Sequence, residues 1–203
     1  MRLILLAVCV VFGSVISAHS QGQESARTEA IVCSDPVNTP DCKLYMSGFA
    51  DTVQMAFAML TPRKVVCNDL SNFVYEFIHE VQTNPEARKK DTQHVLYDLL
   101  NRDSSCDEVK VHDLTAGHFI DTCLAGETGF NLCSGYRMGA TDALFLLDEG
   151  KNHALCGDKN LAFNVIPQMK SKLEADYKLR AKPASEVIAA VLISLMPCPR
   201  DSH

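Results

Sequence analysis

The apolar positions of this chain follow helical periods. From Tyr45 onward, Gly48, Phe49, Thr52, Val53, Ala56 and Met59 recur at the spacing of one stripe of an amphipathic helix. Leu70, Phe73, Val74, Phe77, Ile78 and Val81 repeat the stripe more strongly, with Asn68 or Asp69 placed to cap it. Asn84-Pro85-Glu86 predicts a fresh helix start, with a capping side chain, a proline at the first helical position and an acid near the positive end. Val95, Leu99 and Leu100 lie on the apolar face of that helix. Further along, the pattern predicts a short helix from Phe119 to Leu124 and a longer one from Phe130 to Asp148, stopped by Gly150. Leu161, Val165, Met169 and Leu173 mark another, which Pro167 is expected to kink or interrupt. Pro183 starts a last helix carrying Val187, Val191, Leu192 and Leu195. No stretch alternates with a period of two between hairpin turns, so the predicted fold class is all-α.

The N-terminus alters this picture by assigning a compartment. A basic start at Arg2, an apolar run from Leu3 to Phe12 and small residues up to Ser20 read as a secretory signal, residues 1–20. The run is too short to span a membrane, which takes roughly 20 apolar residues. The expected location is therefore periplasmic or secreted, with no membrane attachment after cleavage. Of nine cysteines, Cys9 goes with the signal and eight stay. An even count in an oxidising compartment reads as a disulfide framework, and the C-x2-C or His-rich spacing of a zinc site is absent.

Those eight cysteines carry a rhythm. The steps between Cys33, Cys42, Cys67 and Cys106 are 9, 25 and 39 residues; those between Cys123, Cys133, Cys156 and Cys198 are 10, 23 and 42. After the second cysteine of each set comes the same block, C-x2-Y-x2-G-x2-D: Tyr45, Gly48 and Asp51, then Tyr136, Gly139 and Asp142. An offset of 92 lays Lys90, Val95, Leu99, Leu100 and Cys106 over Lys182, Val187, Val191, Leu192 and Cys198. The chain reads as two tandem copies of one unit. The predicted layout is a polar tail over 21–32, a first helical repeat over 33–107, a linker over 108–117 and a second repeat over 118–198. Within each copy the preferred pairings, among the three that four cysteines allow, are Cys33–Cys42 with Cys67–Cys106 and Cys123–Cys133 with Cys156–Cys198. The repeated residues read as architecture. Mid-helix glycine signals a close backbone approach, tyrosine a buried ring with a bonded hydroxyl, and the two aspartates a helix-surface or cap role, with service to a partner as the alternative.

Composition narrows function by exclusion. A net charge of −6 argues against a nucleic-acid surface, and the 47% apolar content is too high for a disordered tail. No G-x-S-x-G, phosphate-cradling glycine loop or H-E-x-x-H occurs. Cys106 near His112 and His118 suggests a nucleophile and base, yet every mature cysteine has a counterpart in the other copy, which favours pairing. The reading is of no catalytic residues, no metal and no cofactor. Asp103, Asp107 and Glu108 form an acidic stretch with two readings, a solvated linker or an acidic loop that meets a partner.

The second copy resembles the Rap/Tai family of type VI secretion amidase immunity proteins. The residues that carry the likeness are Phe119-Ile120 running to Cys123, then Cys133-Ser134-Gly135-Tyr136-Arg137-Met138-Gly139, Cys156, Pro183-Ala184 and Met196-Pro197-Cys198. The first copy keeps the cysteines, Tyr45 and Gly48, and lacks the Pro-Ala pair and the proline before Cys106. The resemblance implies a periplasmic protein that occupies the cleft of a peptidoglycan amidase effector, without chemistry of its own. It also implies a dimer-forming unit. A tandem chain then reads as a pseudo-dimeric helical bundle, itself open to forming a homodimer. The competing class is a periplasmic binding or acid-stress chaperone module that exposes apolar surface when a dimer opens; seven histidines supply titratable groups near neutral pH.

Overall fold

Why two similar helices end up face to face is visible in the computed structural model, which describes residues 25–60, 70–102, 114–149 and 155–198. Among these residues there are eight α-helices: α1 (Ala26–Ser34), α2 (Thr39–Leu60), α3 (Leu70–Thr83), α4 (Thr92–Arg102), α5 (Ala116–Cys123), α6 (Glu127–Asp148), α7 (Val165–Ala175) and α8 (Ala184–Leu195). Short 3-10 turns at Ala87–Lys89, Lys159–Asn164 and Tyr177–Ala181 join some of them. The fold is all-α. No helix among the described residues is long and apolar enough to cross a membrane.

The two long helices α2 and α6 pack along each other, the most extensive contact between any two elements. A buried cluster lies on either side of that seam. One gathers Phe49, Phe73, Phe77 and Leu96, the other Ile120, Met169, Ile188 and Leu192. Local chemistry at the helix starts also runs in parallel. Ser25 caps α1 by accepting from the Thr28 N–H, and Thr115 caps α5 by accepting from that of His118. The Ala26 N–H donates to the Lys90 carbonyl at 3.0 Å, and the Ala116 N–H to the Lys182 carbonyl at 2.8 Å. These bonds satisfy first-turn donors that have no partner inside their own helix.

Among the described residues three disulfides pin this arrangement: Cys33–Cys42, Cys123–Cys133 and Cys156–Cys198. The first two are buried and join a short helix to the long one that follows it. The third fastens the end of α8 to residues 155–157, where the Cys156 N–H donates to the Met196 carbonyl at 3.0 Å. Closing loops of 9 and 10 residues restricts the unfolded chain by about 2.7 kcal/mol each, and closing 42 residues by about 4 kcal/mol. Cys67 and Cys106 lie outside the described residues, as do Asn68, Asp69, Gly150 and the acidic Asp103, Asp107 and Glu108.

Several expectations need correction. The polar tail over 21–32 gives way to α1, whose Ala26, Ala30 and Cys33 are buried; an apolar stripe built of small residues is faint in sequence. Asn84-Pro85-Glu86 does not start a helix. The Asn84 side chain accepts from the N–H groups of Glu86 and Ala87, so it caps the 3-10 turn, and extended backbone at Lys90 delays α4 to Thr92. The stripe from Leu161 to Leu173 is interrupted, as expected of Pro167: residues Lys159–Asn164 form a 3-10 turn and α7 begins only at Val165, with Pro167 in its first turn, where the missing N–H costs nothing.

Candidate binding surface

The repeated tyrosine, glycine and aspartate meet at the seam. The Tyr45 hydroxyl on α2 donates to Asp142 Oδ2 on α6 at 2.9 Å, and the Tyr136 hydroxyl on α6 donates to Asp51 Oδ2 on α2 at 2.7 Å. Each aspartate thus serves the tyrosine of the other long helix. This corrects the helix-surface or cap role expected of Asp51 and Asp142. A third group attends each pair. Gln93 of α4 donates to Asp142 at 3.3 Å and offsets part of the rise in pKa at Tyr45, while the buried Ser185 of α8 offsets part of that at Tyr136. Burial raises the pKa of both tyrosines well above its ordinary value, and the facing aspartate raises it further. Both hydroxyls therefore keep their protons and act as donors.

Glycine makes this distance attainable. A Cβ on Gly48 would overlap the Tyr136 carbonyl, and one on Gly139 would overlap that of Tyr45. Helix backbone lies against helix backbone at both points, which is the reason a residue unfavourable in mid-helix stands there. The six repeated residues are consequently consumed by the seam and do not face a ligand.

The outer faces of the two long helices are different. On α6, Phe130, Ser134, Arg137 and Met138 share one face at spacings of four, seven and eight residues, and Phe130 and Met138 are 56% and 49% exposed. At an offset of 91, the equivalent positions on α2 are Thr39, Lys43, Met46 and Ser47. Met46 is buried in the apolar cluster, whereas Arg137 at its equivalent is a buried cation. The Arg137 guanidinium donates to the Ala162 carbonyl at 2.7 Å and to Ser134 Oγ at 3.4 Å, with the exposed Phe163 ring 5.0 Å away. Burial lowers its pKa, and no carboxylate among the described residues is paired with it.

Elsewhere, Glu29 lies 3.6 Å from Cys33 Sγ and 3.9 Å from Cys42 Sγ, a metal-like grouping whose two sulfurs are joined to each other and offer no thiolate. A depression of about 730 Å³ between α3 and α4 is lined by Tyr75, Glu76, His79 and the Glu80–Arg102 ion pair. Sequence reasoning missed Arg137, Phe163, Gln93 and Ser185. The signal for Arg137 was available in a position-by-position comparison of the two blocks, which sets it opposite Met46. Gln93 and Ser185 carry no such signal, because their role depends on which helix packs beside them. Compared with family models, curated proteins and solved structures, the chain matches none.

Proposed function

We propose that the chain is a duplicated helical unit, a pseudo-dimer in one polypeptide, acting as an exported inhibitor that occupies the cleft of a peptidoglycan amidase. The observation that carries the reading is the reciprocity of the seam, where Tyr45 bonds Asp142 and Tyr136 bonds Asp51. A self-complementary contact, in which residue i meets j and j meets i, is the mark of a twofold interface. The residues that make it belong to the repeated C-x2-Y-x2-G-x2-D block, and Tyr136 among them also lies in the 133–139 stretch that resembles the Rap/Tai family, so the block's spacing has a physical use in this chain.

A binding role draws support from the outer face of α6. Phe130, Met138 and Phe163 are large apolar side chains left exposed on a framework held by disulfides. Apolar surface on rigid elements suits protein contact, since little ordering entropy is spent on docking. The net charge of −6, with Asp103, Asp107 and Glu108 contributing, steers encounter with a basic partner. Disulfides suit an oxidising compartment, the periplasm in this reading. The test is co-expression with an exported amidase encoded beside this chain. Protection from lysis together with a stable complex on gel filtration is the expected result; no protection and no complex would overturn the reading.

A further inference from the structure

The second half of the molecule carries a buried charge that no carboxylate among the described residues neutralises. Arg137 is 5% exposed, yet its contacts are a carbonyl, a hydroxyl and an aromatic ring. Burying a cation without a counter-charge is costly, so a fold keeps one where packing demands it or where something else supplies the anion. Packing does not demand it here, because Met46 fills the equivalent position of α2. The surroundings also favour a ligand. Phe163 flanks the guanidinium while 66% exposed, and Phe130 and Met138 extend apolar surface along the same helix.

We propose that Arg137 is an anchor for a carboxylate carried on an apolar segment of a partner protein, with Phe163, Phe130 and Met138 receiving the neighbouring side chains. Planar guanidinium matches planar carboxylate through paired N–H donors, a geometry that lysine does not reproduce. Ser134 and the Ala162 carbonyl hold the guanidinium in place before the partner arrives. Arginine is among the side chains that most often dominate interface energetics, and here it lies beside the exposed Phe163 ring. The inference rests on the binding reading above but names a distinct piece of chemistry. The acidic stretch steers at long range, whereas Arg137 acts on contact.

The test uses the oxidised exported chain and two small probes of equal shape, 3-phenylpropionate and its neutral amide. Titration followed by the Arg137 Nε–H resonance is expected to show a saturable shift with the carboxylate, at least tenfold weaker with the amide. Arg137→Met, which copies the residue of the equivalent α2 position, is expected to abolish binding while far-ultraviolet circular dichroism stays unchanged. Arg137→Lys is expected to weaken it by more than fivefold. Equal titration by the amide, or no titration by either probe, overturns the site without needing any variant. The two proposals fail separately. An amidase complex unaffected by Arg137→Met removes this anchor and leaves the inhibitor reading, while carboxylate binding without an amidase complex does the reverse.

Discussion

The first half of the chain, residues 25–102, and the second, residues 114–198, agree at the seam and differ most on the outer faces of α2 and α6. Along the seam both present Tyr, Gly and Asp at the same spacing, and each set meets the other. On their outer faces α2 shows Thr39, Lys43 and Ser47 where α6 shows Phe130, Ser134 and Met138. The difference teaches where constraint lies. A residue at the seam must fit two places at once, since a change in one half alters the fit of the other. An outer residue answers only to its own surroundings. Function is therefore more legible in what the halves do not share.

The largest effect expected comes from the point of tightest agreement. Gly48→Ala and Gly139→Ala should each destabilise the chain by about 4 kcal/mol, since the added methyl meets backbone that moves only with the whole helix. Gly135→Ala is the control. Its Cβ would lie 3.3 Å from the Leu44 Cβ, so its effect should stay within about 1 kcal/mol. Urea unfolding measures all three. Equal losses for Gly48 and Gly139 sharpen the symmetry; a loss at one and not the other breaks it.

A smaller effect separates the two tyrosines. Asp51 is 8% exposed, whereas Asp142 is half-buried and has Lys159 3.6 Å from its other oxygen. Tyr136→Phe should therefore cost about 2–3 kcal/mol and Tyr45→Phe about 1 kcal/mol, because water and Lys159 partly replace the lost donor at Asp142. The pH dependence has a definite sign. A tyrosine whose folded pKa is raised contributes stability that is fully present below the unfolded value of about 10 and fades as pH climbs through the folded one. The gap between wild type and either Phe variant should shrink on the alkaline side of pH 10. A gap that widens there would contradict protonated hydroxyls at the seam.

How much of this was readable beforehand follows the same division. Helical class came from stripes such as Phe73, Val74, Phe77 and Val81, which need only local periodicity. Disulfide bonding is legible in the even number of cysteines that remain once Cys9 is assigned to the expected signal. The helix α1 is faint in the sequence because Ala26 and Ala30 are small, and burial of a small residue leaves little hydrophobic signal. The start of α4 is not legible locally, because Asn84 offers the same capping chemistry to a 3-10 turn as to a helix. The Tyr45–Asp142 bond joins residues 97 apart, and no local rule connects them. The recurring spacing identifies the participants without revealing that each partner lies in the other half of the chain.

The smallest expected effect tests a difference away from the seam. In the first half Glu80 of α3 accepts two hydrogen bonds from the Arg102 guanidinium of α4, at 2.5 and 2.7 Å. At an offset of 92 the second half places Lys172 and Ser194, which do not form an ion pair of this kind. Those bonds, aided by Asn84 and by the Arg102 charge, outweigh burial and hold the Glu80 carboxyl at about 2. A depressed folded pKa contributes stability above the unfolded value of about 4.3, lost as pH falls toward the folded one. Arg102 is 53% exposed by its side chain, so solvent screening limits the contribution to about 0.5–1 kcal/mol. Glu80→Gln should lower stability by that amount at pH 6 and by nothing near pH 2. Amide exchange should accordingly quicken in α3 and α4 on acidification relative to α7 and α8, a contrast the variant removes. A wild-type to variant difference that stays constant between pH 6 and pH 2 would mean that the Glu80–Arg102 pair adds nothing to the first half that the second half lacks.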